Sequence, residues 1–260
     1  MLQALQARSA ARRLSWAGET GGPVGPRRPP ATVPGLLLSR TLHRPIVGLV
    51  NRGDVLPLLG AERLALADAL QDPPAVDWER PSLCAGWTVQ DVLTHLTAAA
   101  LTSTLPWLAN MAASRFDTDR HNQRLLHRFR AADPVTTLAD FRTAATSSAA
   151  PFGEWEGALG EVIVHGQDIA RPLGLPLAPS REAVRGVAEF FARKDFAVNS
   201  STMARGLRLE ATDDELVLGD GPPVRGSMLN LVMAMAGRAV VLDELEGEGA
   251  EVLRARLPRS

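Results

Sequence analysis

The sequence predicts a mainly α protein: a four-helix bundle followed by a small α+β module. Three observations carry this. Apolar residues recur at helical spacing in four separate segments between residues 54 and 174. Residues 206–223 alternate apolar and polar instead, around a turn at Thr212-Asp213-Asp214, as a β-hairpin does. Residues 1–46 show neither period. At 260 residues, 45% of them hydrophobic, the chain can bury a core for one or two domains.

Residues 1–46 are rich in Arg, Gly and Pro, with Glu19 as the only acid, and that composition predicts disorder. Such a start can mimic an organelle transit peptide, but an extended N-terminus is the plainer reading. Order is expected from near Val50. "DVLPLLGAERLALADALQ" places Leu56, Leu59, Leu64, Ala67 and Leu70 on a first helix, and "DPPAVDWERPS" breaks it. "WTVQDVLTHLTAAALTSTLPWLANM" reads as one long second helix, with Thr88 as N-cap and Asp91 completing a capping box. Residues 117–132 are charged and helical or partly looped. The third helix of the bundle starts with Asp133 as cap and Pro134 at its first position. The fourth, "FGEWEGALGEVIVHGQDIARPLG", is stopped by Pro172 and Gly174. The bundle therefore occupies residues 47–178 and the α+β module 179–260. In that module "REAVRGVAEFFARKDFAV", "SMLNLVMAMAGR" and "EGAEVLRARL" read as helices, and "GDGPPVRG" as a turn lacking any phosphate-loop pattern.

The net charge of −1 argues against nucleic acid or an anionic membrane as a general partner. Cys84 is the only cysteine, so no internal disulfide forms, and a reducing cytoplasmic setting is expected. No apolar run approaches the ~18–20 residues of a membrane span. "SMLNLVMAMAGRAVVL" is interrupted by Asn230 and Arg238 and reads as a buried helix.

Polar residues in apolar helices are the candidates for chemistry. Glu161 and His165 are four apart, about 40° around a helix, so one metal ion can bridge them. A third ligand must come from elsewhere. His43 lies in the N-terminal segment, and His121 and His127 diverge by about 240° in Arg-rich surroundings. His95 shares the apolar face of the second helix with Val92 and Ala99 and points into the bundle. His95, Glu161 and His165 would leave an open coordination position, as a catalytic zinc site does. The plainer alternatives are a satisfied core histidine and a surface Glu–His hydrogen bond. Asp168 is either an acceptor that orients a ligand histidine or the i, i+3 partner of Arg171. Arg238 either complements a helix C-terminus or binds a substrate carboxylate. Cys84 is read as a small buried hydrophobe, with no activating neighbour in sequence. Trp78 and Trp87 are read as packing.

Two separated motifs, "SLCAGWTVQDVLTHL" and "GEVIVHGQDIARPLG", resemble the mycothiol-dependent maleylpyruvate isomerase family, whose metal-binding domain is a DinB/YfiT-like four-helix bundle. "GLRLEATDDELVLGDGPPVRGSMLNLVMAMAGR" resembles its small, sterol-carrier-like C-terminal domain, so the likeness spans roughly residues 50–258. The resemblance implies metal ligands at His95, Glu161 and His165. It further implies a divalent metal, typically zinc, and mycothiol as thiol cofactor. The thiol would add to the double bond of a small electrophile, the bond would rotate, and elimination would complete a cis–trans isomerisation. Arg238 is the candidate for holding a substrate carboxylate. Thiol transfer is the related activity. Two competing readings are a non-catalytic metal-binding module whose C-terminal domain holds a ligand or partner, and a thiol-redox protein built on Cys84.

Overall fold

The computed structural model describes residues 52–71 and 76–257. The expectations for residues 1–46 lie outside the described residues. Helix α1 runs Arg52–Gln71, α2 Val89–Leu101, α3 Thr104–Ala113, α4 Thr118–Phe129, α5 Pro134–Ala144 and α6 Trp155–Leu173. Helices α1, α2, α5 and α6 close a ring: α1 packs on α6, α6 on α2, α2 on α5 and α5 on α1. Leu59, Leu66, Leu93, Phe141, Leu159, Ile163 and Ile169 are fully buried in it. The expected four-helix bundle is therefore present, with α3 and α4 packed at its side through α2.

Local chemistry explains the boundaries. Thr88 caps α2 and Asp91 reciprocates, the full capping box. Asp133 caps α5, with Pro134 in its first turn. The long second helix is corrected: it breaks at Thr102–Ser103, both extended, and restarts as α3. Pro106 lacks the N–H that would bond the Thr102 carbonyl, so a continuous helix would lose a bond there, while Pro suits a first turn. Proline 172 does not stop α6 either; it sits in the last turn. The helix ends at Gly174, which takes φ 67°, and the N–H groups of Gly174 and Leu175 return to the Ala170 carbonyl.

Beyond the bundle come α7 (Arg181–Arg193), α8 (Ser200–Ala204), β1 (Arg208–Ala211), β2 (Val217–Leu218), β3 (Pro223–Gly226), α9 (Met228–Met235) and α10 (Glu248–Arg256). Strands β1 and β2 form the expected antiparallel pair. The segment read only as a turn also supplies β3, which pairs parallel to β1 and makes β1 the central strand. The connection crosses the chain entering β1. A Cβ on Gly219 would lie 2.4 Å from the Leu207 carbonyl oxygen, and one on Gly221 2.3 Å from that of Gly206. Glycine is what permits this crossing.

One hydrophobic cluster runs from Leu59 and Ile163 through Val187 and Phe191 to Leu209, Val224 and Met233. Gly160 lets α6 meet α7 closely: a Cβ there would stand 2.8 Å from the Phe191 ring. Among the described residues no helix is long and apolar enough to cross a membrane.

Candidate metal and thiol site

Helix α6 supplies the centre of the site, and its proline shapes it. Pro172 has no N–H to give the Asp168 carbonyl one turn earlier. The N–H of Leu83 takes that place at 3.1 Å. This bond fastens the loop before α2 to α6. The loop is held by its own bonds as well: Ser82 Oγ donates to the Trp87 carbonyl at 2.9 Å and accepts from Cys84 N–H at 3.1 Å. Cys84 is thereby set beside the Asp168 side chain.

Asp168 is fully buried and gathers four contacts. His165 Nδ1 donates to Oδ2 at 2.9 Å. Arg238 donates through Nη2 to Oδ2 at 2.6 Å and through Nε to Oδ1 at 3.1 Å. The Cys84 thiol donates to Oδ2 at 3.1 Å. Arg238 is itself anchored on the Ala236 carbonyl at 2.8 Å, and its Nη2 lies 3.8 Å from Cys84 Sγ. Burial alone would raise the Asp168 carboxyl. The hydrogen bonds from His165 and Arg238, with the Arg238 charge, outweigh it and hold the group well below the ordinary carboxylate range. Cys84 shows the opposite balance: burial and the Asp168 charge push its thiol up to about 12. It is a neutral donor here, not a thiolate.

Donation of Nδ1–H to Asp168 fixes the His165 tautomer and leaves Nε2 with its lone pair. The ring of His95 stands edge-on to His165, centroids 5.0 Å apart, and Trp87 packs on His95 at 5.2 Å. Burial, reinforced by His165 and His121, lowers the His95 pKa to about 3, so its imidazole is neutral near pH 7. Its Nδ1 is buried with no hydrogen-bond partner. A buried ring nitrogen without a partner is an unmet cost that a cation would relieve. Glu161, one turn before His165, has its pKa raised by burial, while His165 and the buried Arg63 pull it down. Two imidazoles and a carboxyl are donors that suit a divalent metal.

The structure thus brings His95 and His165 into contact, while Glu161 lies one turn before His165 on α6. The ligand atoms that lie within 4.8 Å of one another, among the described residues, belong instead to Cys84, His165 and Asp168. Cys84 was missed as a polar partner because its contacts are 81 and 84 residues away in sequence. Asp168 proves to be the acceptor for His165. Arg171 turns to Asn230 at 2.7 Å, Glu244 at 3.0 Å and Gln167 at 3.3 Å. Arg238 gives its fork to Asp168. His121 packs on Trp107 and bonds to Asn110.

Residues 59–150 match the family model of the mycothiol maleylpyruvate isomerase N-terminal domain. The match contains Cys84 and His95 and ends before Glu161, His165 and Asp168. Two solved structures share the fold: a crystal structure of the mycothiol-dependent maleylpyruvate isomerase and one of a histidine-to-alanine mutant. Each is 16% identical, with a TM-score of 0.52, over 77% of this chain and 94% of the other. No curated protein matches the sequence.

Proposed function

We propose that this chain, whose residues 59–150 match the mycothiol maleylpyruvate isomerase N-terminal domain, is a metal- and thiol-dependent enzyme acting on a small electrophile. The reaction is a cis–trans isomerisation, or transfer of the thiol to the same kind of substrate. One observation carries the reading. His165 is backed by a buried carboxylate, and the neutral ring of His95, with a partnerless nitrogen, lies 5.0 Å from it.

In this reading His95, Glu161 and His165 hold a divalent ion, zinc being the natural choice for two imidazoles and a carboxylate. When bound, the ion would supply a Lewis-acidic centre that favours thiolate over thiol at neutral pH. The remaining chemistry is done around it by the chain. Asp168 fixes the tautomer of His165. Arg238 and Cys84 fix Asp168 in turn, so the loop before α2 and the turn after α9 both act on the metal helix. Trp87 and the apolar flank of α2 shield His95 from water. In an isomerisation the thiolate adds to one carbon of a carbon–carbon double bond conjugated to a carbonyl, the π pair moves onto the carbonyl oxygen as an enolate, rotation occurs about the resulting single bond, and return of the pair expels the same thiolate and restores the double bond. The thiol is recovered unchanged, as a cofactor must be.

A second reading has its own observation. Cys84, His165 and Asp168 are the donors that already converge. A metal closed by a thiolate there would be structural, and the chain a non-catalytic binding module. Turnover of maleylpyruvate with mycothiol, absent without it and absent after chelation, is the result expected of the enzyme. A metal-loaded chain with no turnover of maleylpyruvate and no thiol conjugation to electrophiles would overturn the catalytic reading.

A further inference from the structure

Helix α9 is fastened to α6 at both of its ends, and only the second fastening belongs to the candidate site. At its start Asn230, in the first turn, accepts from Arg171 Nη2 at 2.7 Å. Past its end Arg238 donates to Asp168. Asp168 and Arg171 stand at i and i+3, so they share one face of α6. We propose that Arg171, with Asn230 and Glu244, is the positioning residue that seats Arg238 on Asp168. The role rests on the metal- and thiol-dependent reading above, in which Asp168 fixes His165.

The fork of Arg171 is set from behind. Gln167 donates its amide N–H to the Leu177 carbonyl at 2.9 Å and accepts from Arg171 Nε at 3.3 Å. The terminal nitrogens then face α9 and the turn after it: Nη2 reaches Asn230, and Nη1 reaches Glu244 at 3.0 Å. Asn230 closes a triangle by donating to the other Glu244 oxygen at 2.9 Å. The Asn230 bond, with the bond and charge of Arg171, holds the Glu244 carboxyl below the ordinary carboxylate range, so the triangle is charge-assisted.

The backbone carries this fastening to Arg238. Gly237, at φ 85°, turns the chain out of α9; its N–H reaches the Ala234 carbonyl and the Arg238 N–H the Met233 carbonyl, both at 2.9 Å. These are the paired bonds of a Schellman end. Arg238 leads directly into a 3-10 turn, Ala239–Glu244, whose last residue is the Glu244 of the triangle. The chain is therefore held to α6 both before and after Arg238. The two ion pairs also cross in sign, Arg171 meeting an acid and Asp168 a base. Sliding α9 one turn along α6, so that Arg238 met Arg171, would oppose like charges. The crossed signs select the register that delivers Arg238 to Asp168.

The test reads Arg238 directly. Its Nε–H, donated to Asp168 Oδ1, should exchange slowly with water in NMR of the full, metal-free chain, and Arg238→Lys identifies the signal. Arg171→Met should speed that exchange about tenfold, as loss of a hydrogen-bonded seat implies. Glu244→Gln, at an exposed carboxylate, should speed it about threefold, and it carries the test if Arg171→Met does not fold. Arg193→Met is the control: it cuts a 3.1 Å pair with Glu156, near the opposite end of α6, and should lower the melting temperature without moving the Arg238 signal. In cobalt titrations Arg171→Met should shift the affinity in the same direction as Arg238→Met, by about threefold or more, and add nothing in the Arg238→Met background. The exchange readout needs no metal, so it decides the positioning role even in a chain that takes up no cobalt. Exchange within about twofold of the parent in both Arg171→Met and Glu244→Gln, or equal acceleration by Arg193→Met, would overturn the proposal. Additive cobalt effects of Arg171→Met and Arg238→Met would overturn it as well.

Discussion

Replacing Asp168 with asparagine changes one oxygen to an NH2 group and removes one charge. Its side chain accepts from His165, from two nitrogens of Arg238 and from the Cys84 thiol. An amide can satisfy one flank of that set, but its own N–H groups would face other donors. Asp168 is 0% exposed and the Arg238 side chain 17%, so the guanidinium would be left buried beside a neutral partner. Breaking a buried pair from one side costs about 3–5 kcal/mol. The second effect falls on the proposed metal site. His165 would lose the acceptor that fixes its tautomer, and such losses typically weaken metal binding by roughly 10–100-fold. Denaturant melts of the metal-free chain measure the first effect, and competition with a chromophoric chelator the second. Arg238→Met gives the partner arm, and the double variant should cost clearly less than the two single changes added together. Metal affinity within about threefold of the parent, with a stability loss below about 0.5 kcal/mol, would refute the role assigned to Asp168.

Phe141→Ala, at a fully buried ring of the bundle, should cost about 3–5 kcal/mol in denaturant melts. Gly160→Ala would force a methyl group to 2.8 Å from the Phe191 ring, and should destabilise by about 1–3 kcal/mol without changing metal stoichiometry. Asp214 supplies a pH test away from the site. Burial raises its carboxyl, but the pairs with Arg181 and Arg185 outweigh this and hold it below the ordinary range. Its stabilising contribution is therefore full above about pH 4 and is lost as pH falls through the lower folded value. Asp214→Asn should flatten part of the acid limb of a stability–pH profile, and an unchanged limb would contradict the pairing.

The helices of the bundle were legible because their signals are local. Thr88 with Asp91, and Asp133 with Pro134, mark helix starts within four residues. The break before α3 was harder, since Thr102 and Ser103 only fail to favour a helix; Pro106 is the physical reason, and it also fits a first helical turn. Strand β3 was hidden because its pairing depends on glycines that cross another strand, a tertiary event. In the site, His165 and Asp168 were visible as one helical face. The roles of Cys84 and Arg238 were not. Cys84 reaches Asp168 because Pro172 frees a carbonyl for Leu83, and Arg238 arrives from 70 residues downstream. No periodicity in the sequence encodes either approach. Arg63 is similar: its charge sits mid-pattern in α1, yet the residue is 3% exposed and burial lowers its pKa to about 10.

In the proposed function His95, Glu161 and His165 hold one divalent ion with a position left for a thiol. Cobalt(II) loading of the metal-free chain tests it most directly, read by stoichiometry and by the electronic spectrum. One equivalent should bind, without a thiolate-to-cobalt band in the parent and equally in Cys84→Ser. That band should appear only when an external thiol is added, and His95→Ala and His165→Ala should each abolish tight binding. A chain that takes up no cobalt, or one that shows the thiolate band before any thiol is added and loses it in Cys84→Ser, would contradict the claim.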